Sequence, residues 1–459
     1  MPIIISNVPF TKTGVVSLYN IKEAIGMSKE EKPLSEVKTS NELEEMNVQR
    51  HVPANLRQSG DNGSRMLISQ RVRKSPYWHL SEEAGAWCYS VYNNMYHPRA
   101  YIPMEEGGLL KEYEYLTEHV TLWNVAVERQ IQVKGPDAPK LVDLAITRSV
   151  EKVKTGKARY VILCNEEGGI INDPVLLRPH EDEFWFSLSD SDTSLWLQAL
   201  KVMNNFDCTV REIDVAPVQI QGPKSTALMV DLFGKGIHDV PYYGLMEGNV
   251  NGCPVIVSRT GFSGEAGFEI YLYHATANAE KLWYHLLEKG KPYNLKVIAP
   301  GHIRRIEAGI LSYGQDMDQE TNPFQVGLGW QVDLTKSNFI GKEALERIKN
   351  EGVSKKLVGM KFGGKKIDWY PADFYMVYAE NGTKPVGYIT SAFYSPNQGC
   401  NIGYAMLPSA YSTVGTELEI HLPEPYANGL VPAEVAQTPF KAPENPGTGY
   451  TQTGRKLES

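Results

Sequence analysis

Two carboxylates stand in settings that call for a partner. Asp173 ends the run Gly168-Gly169-Ile170-Ile171-Asn172-Asp173, directly after a glycine pair that reads as a tight turn. A carboxylate on a hairpin strand projects from a rigid element, so it can orient a bound molecule or exchange a proton with it. The alternative is an Asx-type role, in which the side chain caps the glycine turn. Glu269 lies in the apolar stretch Phe268-Glu269-Ile270-Tyr271-Leu272, where an unpaired charge is expensive. There it could accept adjacent N–H donors of a planar ring in bidentate fashion, or pair with Arg259. Aromatics crowd one region: Tyr77, Trp78, Trp87, Tyr89, Tyr92, Tyr96 and Tyr101. A cage of such rings suits a sulfonium or quaternary ammonium group through cation–π attraction, and plain core packing is an equal reading.

Other chemistries find no support. The net charge of −8 gives nucleic acid no electrostatic help. The five cysteines are scattered without metal-ligand spacing, which suggests inert thiols in a reducing cytoplasm. His79, His97 and His302 lack partners at ligand spacing, so no metal is expected. The N-terminus has no signal-peptide pattern, and no stretch is long and apolar enough for a membrane helix. Dinucleotide, P-loop, GxSxG and HExxH motifs are absent. Gly261–Gly267 superficially resembles a phosphate loop, but a strand follows it instead of a helix.

The elements that must hold these residues can be read in part. At 459 residues the chain is long enough for two or three domains. Residues 1–64 are polar and hinge-like and read as an extension, partly disordered or wrapped over another surface. Residues 65–345 read as two α+β lobes, 346–441 as a small antiparallel β-barrel, and 442–459 as a polar tail. Arg129–Ile146 has a strand, a Gly-Pro turn and a helix, with Asp137 near the helix start. Val215–Gly234 repeats that form, which suggests an internal duplication. Ala158–Pro179 reads as a hairpin turning at Asn165 to Gly169, and a helix follows with Ser191 or Asp192 as cap. His302–Gly314 and Asn338–Gly352 carry helical patterns.

Five segments, in order, resemble the glycine cleavage T-protein family: Gly168–Asp173, Gln221–Lys224, Arg259–Leu272, Arg305–Gly314 and Gly387–Met406. Within it, Ser69–Tyr77, Ala86–Met95, Trp123 and Asn172-Asp173-Pro174 resemble the branch of dimethylsulfoniopropionate demethylase-like methyltransferases. The resemblance implies a three-lobed, cloverleaf α+β fold with two related lobes and a C-terminal barrel. It also implies a tetrahydrofolate-dependent demethylase taking a methyl group from a small sulfonium or quaternary ammonium donor. Aromatic O-demethylation, aminomethyl transfer and a non-enzymatic folate-binding role are the alternatives. Carried onto this chain, it gives Asp173 a catalytic place and puts Ser187, Ser189, Phe262, Glu269 and Tyr271 against folate. Tyr89, Tyr92, Trp123 and Tyr243 fall to the donor, and a small molecule is the only partner expected, with a homo-oligomer compatible. Three departures stand out: Asn124 for an Asp, Phe262 for Trp or Tyr, and Gly301-His302 for the usual Arg-Asp pair.

Overall fold

A computed structural model describes residues 70–371 and 373–441. The expected extension and polar tail lie outside the described residues. Alternating and fully apolar runs build two antiparallel sheets. The five-stranded sheet runs Thr209–Glu212, Gln130–Lys134, Glu183–Ser187, Val175–His180, Lys157–Tyr160. The six-stranded sheet runs Leu245–Val250, Cys253–Ser258, Gly267–Tyr273, Val215–Gln221, Thr121–Asn124, and ends in the short parallel strand Lys296–Val297. Each sheet has helices on one face and its own core: Ile131, Leu141, Phe184 and Phe186 in the first, Val218, Leu228, Ile270 and Trp283 in the second. Lys355–Phe362 opens a closed six-stranded antiparallel barrel that ends with Gly429–Ala436, as the sequence suggested. This is the α+β, T-protein-like fold with a C-terminal barrel.

The repeated strand–Gly-Pro–helix unit recurs in the same stereochemistry. Gln130–Lys134 leads through Gly135 into the helix Ala138–Ala145, and Val215–Gln221 leads through Gly222 into the helix Ser225–Phe233. Both glycines have positive φ, 138° and 120°. A Cβ would come within 2.8 Å of the Cys208 backbone at the first and 2.5 Å of the His119 carbonyl at the second. Only glycine fits either turn. The halves nevertheless interleave: Thr121–Asn124 joins the second half's sheet, pairing with Val218–Gln221, although it precedes the first half's strands in the chain.

Asp137 lies at the start of its helix as expected, whereas the cap expected from Ser191 or Asp192 does not form. Asp137 and Asp192 sit at N-cap positions but make no capping hydrogen bond. Asp137 instead accepts the Asp207 N–H at 2.9 Å, and Ser191 donates to the Ile171 carbonyl at 2.7 Å. The helix after Gly301 spans only His302–Glu307, because the chain turns through Gly309 at φ 80°.

Candidate active site

The Gly168-Gly169 turn fixes the hairpin that carries Asp173. Asn165 takes the Asx role there, its Oδ1 accepting the N–H groups of Glu167 and Gly169 at 3.1 and 2.8 Å. Asp173 therefore does not cap the turn. Its carboxylate is 8% exposed and accepts hydrogen bonds from the Tyr160 hydroxyl (2.8 Å) and the Ser189 hydroxyl (2.5 Å). Burial pushes this carboxyl up to about 7, and those two donors only partly offset it.

Glu269 lies on the strand Gly267–Tyr273 and is also buried. Gln219 donates its amide to Oε1 at 2.9 Å, and the Tyr271 hydroxyl donates to Oε2 at 2.5 Å. Arg259 is not its partner. The Arg259 guanidinium donates to the Val240 carbonyl and faces the Phe268 ring. Burial raises the Glu269 carboxyl above the ordinary carboxylate range.

A third acid, Glu128, completes the group. It just precedes the strand Gln130–Lys134 and accepts the Ser187 hydroxyl at 3.0 Å, while Gln130 donates to the same Ser187 oxygen at 2.8 Å. Its side chain is half-buried. Burial, then the charge of Glu269, then that of Asp173 hold it well above its usual range. Among the described residues, no lysine, arginine or histidine is ion-paired with any of the three acids. Sequence reading missed Glu128, whose only signal was a charge between the apolar run Val125–Val127 and a strand.

The other expected residues divide. Ser189 holds Asp173 and Ser187 holds Glu128. Tyr271 is wholly buried behind Glu269, where it positions the carboxylate and has no surface left for a ligand. Tyr92 stands beside Asp173, Glu128 and Asp190, which raise its hydroxyl after burial itself. Tyr243 stands beside Tyr242, with ring centroids 4.5 Å apart, and its φ of 58° is a strained conformation for a non-glycine residue. Burial and nearby Glu269 push its hydroxyl up to about 12. Phe262 is half-buried. Its N–H donates to Gln219 Oε1 at 3.3 Å, so Gln219 ties the loop to Glu269.

Two expected donor contacts are not where the sequence put them. Trp123 is fully buried among Leu116, Val125 and Ile298, and its indole N–H donates to Thr121. It is core packing behind the loop that holds Phe262. Tyr89 and Tyr92 point to opposite faces of the strand Cys88–Tyr92, because side chains alternate, and Tyr89 packs with Trp78 and Tyr96. The crowded aromatics therefore do not form one cage: Tyr77 packs on Trp283 and Trp87 stacks on Trp369.

Several motif residues build the scaffold. Gln221 fills the space under the loop, where a Cβ on Gly261 or Gly267 would meet it at 2.2 or 2.4 Å. Glu265 pairs with Arg304, and Arg305 pairs with Asp316 at 2.5 Å with both side chains fully buried. Asp316 also accepts the hydroxyls of barrel residues Thr390 and Ser391 at 2.6 Å.

Comparison with known proteins agrees with this architecture. The GCVT N-terminal domain family matches residues 77–336, and the glycine cleavage T-protein C-terminal barrel domain family matches residues 355–441. The dimethylsulfoniopropionate demethylase of Ruegeria pomeroyi is 32% identical over 369 residues, covering 80% of this chain and 97% of that protein. The aminomethyltransferase of Thermotoga maritima is 36% identical over 347 residues, covering 74% and 91%. The crystal structure of glycine cleavage system aminomethyltransferase T from Bartonella henselae superposes with a TM-score of 0.70 at 24% identity, covering 82% of this chain and 99% of that one.

Proposed function

Because this chain belongs to the glycine cleavage T-protein family, whose members are folate-dependent transferases, we propose that it moves a methyl group from a small sulfonium or quaternary ammonium donor to N5 of tetrahydrofolate. The observation that carries this reading is the group of acids formed by buried Asp173 and Glu269 and half-buried Glu128, with no ion-paired cation among the described residues. Such a group costs free energy until N–H donors or a positive charge arrive. A reduced pterin offers adjacent N–H donors, and an onium donor offers the charge.

Glu269, fixed on both oxygens by Gln219 and Tyr271, is suited to hold the pterin edge. Phe262 lies on the loop tied to it and is suited to ring contact. Tyr92 and Tyr243 stand beside the acids and supply aromatic surface for the onium group. Bound tetrahydrofolate supplies the nitrogen that takes the methyl group, and the donor departs as a neutral thioether or tertiary amine. No leaving-group acid is then needed, so alignment and exclusion of water carry the catalysis. One proton is released from the nitrogen, and Asp173, whose carboxyl is pushed up to about 7, can accept it. The likeness to a dimethylsulfoniopropionate demethylase over most of both chains favours the sulfonium donor.

The test is formation of 5-methyl-tetrahydrofolate with dimethylsulfoniopropionate, glycine betaine and methoxyaromatic acids offered separately. Turnover with an onium donor is expected. Turnover with the methoxyaromatics alone would overturn the reading.

A further inference from the structure

A second polar cluster adjoins the Phe262 loop, and Arg99 beside it brings a positive charge. A cavity of about 280 Å3, mouth included, is lined by Glu112, Tyr113, Gly301, His302, Tyr370 and Phe393, among others. Its acids and hydroxyls are already engaged. Glu112 accepts the backbone N–H groups of Tyr101, Ile102 and Ala299 at 2.7, 3.1 and 2.8 Å, and the Tyr113 hydroxyl donates to Glu307. The Tyr370 hydroxyl donates to the Arg99 carbonyl at 3.0 Å.

His302 is different. It is 6% exposed, lines the cavity, and has no hydrogen-bond partner for Nδ1 among the described residues. A buried polar atom left in this state loses its water without gaining a partner, so its persistence points to a ligand. Arg99 packs its guanidinium over the Tyr370 ring, 4.3 Å from the centroid, and no acceptor for that guanidinium occurs among the described residues. His97, buried nearby, likewise has a free Nδ1. The His302 ring meets Tyr370 at 5.4 Å and Phe262 at 6.1 Å, which joins the cavity to the folate loop. Trp87 and Trp369 stack at 5.2 Å beside Tyr370, with Trp87 46% exposed.

We propose that this cavity, with Arg99 beside it, is a carboxylate subsite. A guanidinium with free donors and an imidazole N–H, set among aromatic walls, match a planar anion far better than a second cation. The pairing of an acid-rich centre with this corner of unpaired donors fits a ligand carrying a positive or N–H-rich end and a carboxylate end. This inference rests on the proposed function for its two candidate sources: the carboxylate of a zwitterionic donor and the glutamyl tail of the folate.

Calorimetric binding to the full chain distinguishes them, with dimethylsulfoniopropionate against its methyl ester and tetrahydrofolate against tetrahydropteroate, which lacks the glutamyl tail. Wild type is expected to prefer the acid over the ester at least tenfold, and Arg99→Gln to abolish that preference while tetrahydrofolate binding stays unchanged. Loss of the folate-over-pteroate preference instead assigns the subsite to the folate tail. His302→Phe, tested in parallel, should weaken the same preference. Absence of both preferences in wild type, or their survival in an Arg99→Gln protein of normal melting temperature, would overturn the subsite. Because the readout is binding, a chain that shows the preference yet transfers no methyl group would refute the proposed function alone.

Discussion

Asp173 separates chemistry from architecture at the level of one side chain. Asp173→Asn keeps the shape and the Tyr160 contact, so folate affinity should hold while turnover falls roughly 10²-fold or more. The wild-type rate should rise with pH through about 7, as the carboxyl becomes a base, and the Asn variant should lack that limb. Stability should run the other way. The folded carboxyl sits at about 7 against roughly 4 in an unfolded chain, so the native state binds the proton more tightly. Its contribution is therefore full at low pH and is lost as pH climbs through about 7. Calorimetric scans should show the Asn variant gaining on wild type between pH 4.5 and 8. For Glu269→Ala, tetrahydrofolate binding should weaken by about 2–4 kcal/mol in a direct titration. Tyr271→Phe, which frees one carboxylate oxygen, should cost less. The partnered, buried settings of Asp173 and Glu269 were legible because each broke a local pattern. Glu128 was not, since a charge before a strand looks like any solvated one. The burial of Trp123 and the packing of Tyr89 on Trp78 and Tyr96 were not legible, because neither burial nor strand face is written in composition.

The hairpin holding Asp173 depends on Gly169. A Cβ there would lie 1.8 Å from the Gln319 carbonyl oxygen, a backbone atom that cannot move aside alone. Gly169→Ala should therefore destabilise the protein by several kcal/mol in urea unfolding, beyond the usual 0.5–3 kcal/mol of a point change. Whatever folded fraction remains should turn over poorly, because Asp173 is four residues away. Gly-Pro turns and period-two runs made the repeated unit and the barrel readable in the sequence. Helix ends were less so. Ser191 and Asp137 are good caps by type, but each found a neighbour from another segment, Ile171 and Asp207, that sequence alone does not bring near.

Arg305, Asp316, Thr390 and Ser391 fasten the barrel to the α+β region through a buried polar knot. Removing one charge strands the other. Arg305→Met should cost about 3–5 kcal/mol in denaturant unfolding. Adding Asp316→Leu should recover part of that loss, because the orphaned carboxylate goes while the two barrel hydroxyls still lack a partner. Unchanged stability in the single variant would show that the knot carries no net coupling. The family resemblance announced Arg305, Thr390 and Ser391 as part of motif segments, yet only the structure shows that they hold the scaffold together through Asp316. The interleaving of the halves was invisible for a related reason: Thr121–Asn124 is a four-residue strand with nothing local to name its partner.

That interleaving has a bearing on biosynthesis. Thr121–Asn124 leaves the ribosome some ninety residues ahead of Val215–Gln221, its neighbour in the sheet. At translation speeds of about 5–20 residues per second, the early strand waits roughly 5–20 s with its apolar edge open. The six-stranded sheet cannot form around that strand before Val215–Gln221 emerges, so chaperone engagement belongs to that interval. Ribosome profiling of chaperone-bound nascent chains should place it between the emergence of residue 124 and that of residue 221.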